Sequence, residues 1–296
     1  MAKKQDWIIG GFIFGFLAIF TFFLILLITG LSSKGEMTIS PGGSRVAIVE
    51  LNGIITSSDR IVRQFKKYQK NPSVKSIVFR INSPGGGIAA SQEIYEHVKR
   101  VRDSGKPVVA SMGSVAASGG YYVALGSQAI MANPGTTTGS IGVIAEIPNF
   151  SKLLDKVGIS FTIIKSGKFK DTGSPYRKIR PEEYDYLQRW IDNGYNQFID
   201  VVAQERKLSL DKVRESADGR VFTGEQALNL SLIDTLGTFD DAINYAAKLG
   251  GISGEPRILR DRIRKVTLFD IITEDTETLI GKHFSLWPQA KYLMRF

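Results

Sequence analysis

Short apolar runs and amphipathic segments follow one another along most of the chain. Apolar runs of four to eight residues predict strands, and apolar residues three or four positions apart predict helices. The predicted strands are residues 46–51, 74–81, 107–110, 129–132, 142–147 and 160–164, and the predicted helices are residues 58–70, 88–103, 150–157 and 181–206. Because strands alternate with helices, the pattern predicts an α/β domain with a largely parallel sheet.

The N-terminal residues 7–29 are almost wholly apolar, with no charged residue between Asp6 and Lys34. About 20 apolar residues cross the core of a bilayer, so this run predicts a single transmembrane helix. A cleaved signal peptide is the alternative, but the run is longer than the usual apolar region and lacks an Ala-x-Ala-like cleavage site. Lys3 and Lys4 before the run favour a cytoplasmic N-terminus and an exported body.

Composition divides the 296 residues into four parts. Residues 1–30 form the cytoplasmic tip and anchor, residues 31–44 a Ser-, Gly- and Lys-rich tether, residues 45–250 one catalytic domain, and residues 251–296 a basic and aromatic C-terminal extension. The extension either lies on anionic lipid, docks on a neighbouring subunit, or is a solvated tail. The net charge of +9 suits work near an anionic membrane and also serves solubility, while no motif for nucleic acid binding is present.

One hydroxyl stands in a run of small residues, residues 113–122, where little would bury it. This is Ser118, which the pattern places at a turn between a strand and a helix. There the amide of Gly119 is placed to stabilise an oxyanion, so Ser118 is a candidate nucleophile. The alternative is an ordinary serine that caps the helix N-terminus.

Two further segments bear on this choice. Residues 82–87 end a predicted strand with three glycines, where the amide of Gly86 is either a second oxyanion donor or part of an ordinary turn. Residues 165–171 form a basic loop that holds either a general-base lysine or only solvated lysines.

Elimination narrows the chemistry, since the chain has 2 His and 0 Cys. Zinc sites built from Cys and His clusters are excluded, and neither His97, inside a predicted helix, nor His283, in the extension, has the surroundings of a catalytic imidazole. The base for Ser118 is then Lys, Asp or Glu. A lysine base needs burial to lower its pKa from about 10.4 to roughly 7 to 8.

Four motifs in order resemble the bacterial signal peptide peptidase A family, membrane-anchored serine peptidases with a Ser-Lys dyad. They are Asn-Ser-Pro-Gly-Gly at residues 82–86, Ala-Ala-Ser-Gly-Gly-Tyr-Tyr at 116–122, Thr-Gly-Ser-Ile-Gly at 138–142, and Lys-Ser-Gly with Lys-Asp at 165–171. The resemblance covers about residues 45–249 and implies a ClpP/crotonase-like domain of repeated β-β-α units. It also implies that Ser118 is the nucleophile, Lys170 the general base and Ser140 the residue that holds the lysine, with the amides of Gly86 and Gly119 as oxyanion donors.

The sequence therefore predicts a serine endopeptidase in the bacterial inner membrane, with its catalytic domain outside the cytoplasm. The resemblance implies that it degrades remnant signal peptides and other hydrophobic peptides, needs no cofactor, and forms a homo-oligomeric ring in which Ser and Lys come from one subunit or from two. A crotonase-fold acyl-CoA enzyme and an inactive oligomeric membrane scaffold are the alternatives. The first would have no use for both Ser118 and Lys170 and little reason for a membrane span.

Overall fold

A mainly parallel β-sheet is the centre of the structure. The computed structural model describes residues 43–261, the backbone of residues 291–293 and two isolated positions, Gly15 and Thr21. Nearly all of the predicted anchor and tether and most of the C-terminal extension lie outside these residues. Within them, no helix has the length and apolar character that a membrane crossing requires.

The described strands and helices alternate for most of the chain. The strands are β1 (Arg45–Asn52), β2 (Val74–Ser83), β3 (Gly85–Gly87), β4 (Val108–Ala117), β5 (Ala129–Ala132), β6 (Thr137–Gly139), β7 (Val221–Thr223), β8 (Thr235–Leu236), β9 (Arg257–Arg260) and β10 (Lys291–Leu293). The helices are α1 (Asp59–Lys70), α2 (Ile88–Asp103), α3 (Gly119–Ala124), α4 (Ser151–Lys156), α5 (Pro181–Arg206), α6 (Leu210–Ser216), α7 (Gly224–Asn229) and α8 (Phe239–Leu249).

The main sheet has the strand order β7-β6-β4-β2-β1-β9. All of its pairs are parallel except β6 with β7. The long strand β4 has two neighbours on one side: its first half pairs with β5 and its second half with β6. The split allows the last residues of β4, which lead to Ser118, to have their own supporting strand.

Helices cover both faces of this sheet. Along β1, Ala47, Val49 and Leu51 pack on one face in the cluster formed with α1, α2 and α3, while Val46 and Ile48 pack on the other against α8. Strands buried on both faces explain why β1, β2 and β4 are continuous apolar runs and not alternating ones. Each fully buried aliphatic side chain stabilises this core by about 1.5–3 kcal/mol.

The structure confirms the α/β class with a parallel-rich sheet, and this architecture fits a ClpP/crotonase-like peptidase fold. Helices α1, α2 and α5 lie within one residue of their predicted bounds because each has a clear apolar face.

Two strand predictions are wrong. Residues 142–147 and 160–164 form no strand of the sheet. Ile164 illustrates the reason, since its side chain is 96% exposed: the run is apolar, but no sheet edge or core of the described chain covers it. Conversely, β6 was not predicted, and β9 in the C-terminal extension joins the sheet beside β1.

Candidate active site

Ser118 lies where β4 ends and α3 begins, as the sequence predicts. Its backbone has φ 52° and ψ −117°, a left-handed conformation that residues with a side chain seldom adopt. Two hydrogen bonds fix it: Ser118 N–H donates to Gly139 O at 2.8 Å, and Tyr122 N–H donates to Ser118 O at 2.8 Å. Such an overdetermined, strained residue is typical of functional sites.

The Ser118 side chain performs no capping role. It is 1% exposed, and its Oγ has no hydrogen-bond partner within the part of the chain that the structure describes. A capping serine would accept from a backbone N–H two or three residues on, and Ser118 makes no such bond. The ordinary capping alternative is therefore wrong, and the unsatisfied hydroxyl is a site feature that calls for another explanation.

Gly119 and Gly86, the two predicted oxyanion donors, lie beside each other. A Cβ on Gly119 would come within 2.7 Å of Ser91 Oγ and 3.1 Å of both Gly85 Cα and Gly86 N. A Cβ on Gly86 would lie 2.1 Å from Ile55 O. The absence of side chains thus lets the turn after β4 approach β3, so that both amides adjoin Ser118.

The two edges of β3 have different partners. On one edge, Ile55 N–H donates to Gly85 O at 2.9 Å, and Gly87 N–H donates to Ile55 O at 2.8 Å. Because successive peptide groups along a strand point to opposite edges, the N–H and C=O of Gly86 point to the other edge. There β10 pairs antiparallel, with Tyr292 opposite Gly86.

This pairing is not predicted by the sequence. The alternation of polar and apolar residues at the C-terminus is too short to predict a strand, and the sequence does not reveal which edge would receive it. The pairing demonstrates that β3 accepts an extended main chain directly beside Ser118.

Ser140 follows the residue that fixes Ser118. Its N–H donates to Arg220 O at 2.8 Å, and its backbone also has a positive φ, 50°. Its side chain is 8% exposed and lies at a cleft of about 580 Å³. The cleft is lined by Ser140, Gly142, Val143, Ile144, Ile191, Asp192, Tyr195, Ala217, Asp218, Gly219 and Val221. A largely apolar cleft of this kind suits an apolar side chain of a ligand.

Lys170 lies apart from this group. It is exposed, in the segment of residues 165–180 between α4 and α5, which we call the lysine segment. Within the described chain, its side chain makes no hydrogen bond or ion pair, and none joins it to Ser118 or Ser140. The structure thus brings Ser118, Gly119, Gly86 and Ser140 together. It does not bring Lys170 to them.

The one histidine among the described residues, His97, lies on α2, where its Nδ1 is 3.0 Å from Glu93 O, one turn earlier.

Several known proteins are similar in sequence to this chain. Residues 100–253 match peptidase family S49. A candidate protease of Synechocystis sp. is 48% identical over 209 residues, which cover 70% of this chain and 75% of that protein. A candidate signal peptide peptidase SppA of Enterococcus faecium is 37% identical over 228 residues, 72% of this chain and 66% of that protein.

Protease 4 of Salmonella typhi is 37% identical over 216 residues, which cover 70% of this chain and 35% of that longer protein. The match with the peptidase family includes Ser118, Gly119 and Ser140, and it extends through the lysine segment and α5. The chain belongs to peptidase family S49.

Proposed function

We propose that this peptidase is a membrane-anchored serine endopeptidase that degrades remnant signal peptides and other hydrophobic peptides with a Ser118–Lys170 dyad. One observation carries the proposal: beside an unpartnered, buried Ser118, the edge of β3 already holds an extended main chain. An enzyme that cuts within peptides needs such an edge, because main-chain hydrogen bonds hold a substrate without regard to its sequence. The name of the Enterococcus relative supports the substrate class.

The chemistry would proceed in two stages. Ser118 Oγ attacks the peptide carbonyl carbon, and Lys170 Nζ takes its proton and then donates it to the leaving amine. The amide of Gly119, together with that of Gly86 once a substrate replaces β10 on this edge, would hold the negative oxygen of each tetrahedral intermediate. Water, deprotonated by Lys170, then releases the acyl group and restores Ser118.

We further propose that Lys170 reaches Ser118 of a neighbouring copy in a homo-oligomeric ring. Two features support this: Lys170 is exposed without an ion-pair partner in the described chain, and the chain around it carries many exposed apolar side chains. Phe161 is 53% exposed, Ile164 96% and Trp190 42%. A single subunit with so much exposed apolar surface is typical of a protein that associates. Association would also bury Lys170, which favours the neutral amine that a base requires.

Membrane attachment is the third part of the proposal. The apolar run of residues 7–29 supports a single span with the N-terminus in the cytoplasm. The catalytic domain would then be outside the cytoplasm, where signal peptides remain after cleavage of exported proteins.

The dyad is tested with Ser118→Ala and Lys170→Ala. Each is expected to lower kcat for a hydrophobic peptide by about 10⁴ to 10⁶-fold, and the double variant to be no worse, because the residues act as a unit. Turnover by either purified, folded variant near the wild-type rate would contradict the dyad.

The origin of the lysine is tested by mixing these two inactive variants under conditions that exchange subunits. If the dyad forms between copies, mixed oligomers contain some intact sites and regain activity. If the mixture stays inactive although subunits have exchanged, the two residues act within one chain.

The topology is tested by adding protease to spheroplasts, or to permeabilised cells where an outer membrane exists. The body after Arg45 should be digested while the anchor stays with the membrane. Protection of the body until the inner membrane is lysed would establish the opposite orientation.

A further inference from the structure

Arg177 is the central residue of an ion-pair cluster in the lysine segment. Its Nε donates to Asp171 Oδ2 at 2.8 Å, and its two terminal nitrogens donate to Glu183 Oε2 at 2.8 Å and Oε1 at 2.6 Å. Its remaining N–H groups donate to the backbone oxygens of Lys178 at 3.0 Å and Asp171 at 3.1 Å. All five donors of this guanidinium are therefore used, a geometry that lysine cannot reproduce.

Glu183 anchors this cluster to α5. Its side chain is fully buried, and it accepts from Arg177, from the side chain of Arg180 at 2.6 Å and from Arg180 N–H at 3.0 Å. These bonds to the charged form lower the pKa of Glu183 to about 2, Arg177 contributing most. A buried carboxylate so fully paired fixes the end of the lysine segment to the first turn of the helix.

The carboxylates nearest to Lys170 in sequence are already paired. Asp171, its neighbour in sequence, is paired with Lys165 and Arg177, and these hydrogen bonds hold the pKa of Asp171 well below its usual range. The carboxylates of the first turn of α5 are paired as well, Glu182 with Lys168 at 3.3 Å and Glu183 as described above. Helix α4, which is linked to the segment by Phe150 N–H donating to Pro175 O, carries three charged residues that make no ion pair within the described chain: Lys152, Asp155 and Lys156.

We propose that Arg177 is a positioning residue for Lys170: it fixes the lysine segment and keeps the carboxylate of Asp171 occupied, so that Asp171 does not pair with Lys170. The inference rests on the proposed role of Lys170 as the base. It adds to that role a residue that touches neither Ser118 nor substrate.

The physical reason lies in the charge state that a base needs. A carboxylate next to an amine stabilises the ammonium form, which cannot accept a proton. Adjacent residues in this chain do pair when nothing intervenes, as Arg102 and Asp103 show with a distance of 2.9 Å. Without Arg177, Asp171 Oδ2 loses its partner, while Lys165 and Arg180 stay on Oδ1. Oδ2 then becomes available to the adjacent Lys170.

The test is the pH dependence of kcat/KM in the full-length chain carrying Arg177→Gln, with a hydrophobic peptide as substrate. Once Arg177 no longer pairs with it, Asp171 should move the rising limb of the pH profile to higher pH by about one unit. Activity near neutral pH should then fall roughly tenfold and recover in part at high pH. Arg177→Lys keeps the charge but holds only one carboxylate. The rising limb of its pH profile should therefore lie between those of Arg177→Gln and the wild type.

The second substitution separates charge from mere loss of structure. Adding Asp171→Asn to Arg177→Gln should return the limb to its wild-type position, because no carboxylate remains beside Lys170. Arg206→Gln is the matched control, since Arg206, at the end of α5, makes a comparable ion pair with Asp234 at 2.9 Å and is remote in sequence from the lysine segment. It should lower stability without moving the limb.

A limb that stays in place in folded Arg177→Gln and Arg177→Lys, while Lys170→Ala is inactive, would overturn the inference and leave the dyad intact. A shift that persists in the double variant would also overturn it, since the carboxylate would not be its cause. Activity in Lys170→Ala would instead remove the proposed function. If Arg177→Gln does not fold, Arg177→Lys alone decides between the first two outcomes.

Discussion

The two halves of the proposed dyad are held by different forces. Ser118 lies in a buried turn that is fixed by β4, β6 and α3, where small residues pack tightly and no charged side chain contributes. Lys170 lies in an exposed segment without a strand or helix, which is held by ion pairs among Asp171, Arg177 and Glu183.

The difference teaches which part of the site tolerates change. A closely packed turn cannot accommodate an added methyl group without a shift of the backbone. A network of charges instead weakens gradually as its members are neutralised. Substitutions near Ser118 should therefore act abruptly, and those near Lys170 should depend on pH and salt.

Among substitutions that keep both residues of the proposed dyad, the largest effect is expected from Gly119→Ala. The new Cβ would lie 3.1 Å from Gly86 N and 2.7 Å from Ser91 Oγ, which forces the two oxyanion donors apart. We expect kcat to fall by about 10² to 10³-fold, the loss typical of one donor, with a destabilisation of about 1–3 kcal/mol.

Gly135→Ala is the control for this measurement, because no atom lies within 4 Å of its added Cβ. Steady-state kinetics and thermal unfolding of both variants check the prediction. Equal kinetics for the two would mean that packing at Gly119 does not set the site.

A smaller effect is expected from Ser140→Ala. If this hydroxyl orients the lysine, its loss should lower kcat by roughly tenfold while KM stays near the wild-type value, since the substrate contacts remain. The backbone bond from Ser140 to Arg220 O is unaffected by the change, so the fold should persist. A variant with wild-type kcat would show that Lys170 is held by other groups.

The smallest effect concerns stability in acid. The pKa of Glu183 is lowered in the folded state, so its contribution is present above the unfolded value near 4.5 and is lost as pH falls toward 2. Glu183→Gln should therefore reduce stability at neutral pH by about 1–3 kcal/mol, and its unfolding temperature should depend less on pH between about 5 and 2 than that of the wild type.

Glu182→Gln provides the comparison, because that side chain is 42% exposed and pairs with Lys168 at the surface. Its stability should scarcely change, because an exposed ion pair contributes little. If both variants unfold alike across this pH range, the buried ion pairs do not hold the lysine segment.

The same division explains what the sequence could predict. The turn at Ser118 follows from local features, an apolar strand, small residues and glycines, which determine the structure wherever they occur. Residues 142–147 and 160–164 show the limit of prediction from sequence. Both runs are apolar, but an apolar run forms a strand only where a neighbouring strand or core surface covers it. The sequence likewise does not predict the position of Lys170 relative to Ser118, because no local packing fixes the chain around Lys170.

The positive φ of Ser118 has a consequence for the evolution of this enzyme. A non-glycine residue held in that conformation costs on the order of 1–3 kcal/mol, a cost that glycine largely avoids. Ser118→Gly, which removes the proposed nucleophile, should therefore yield a more stable protein with a higher melting temperature. Selection for stability alone would remove the serine, which is consistent with its retention for the proposed catalytic role.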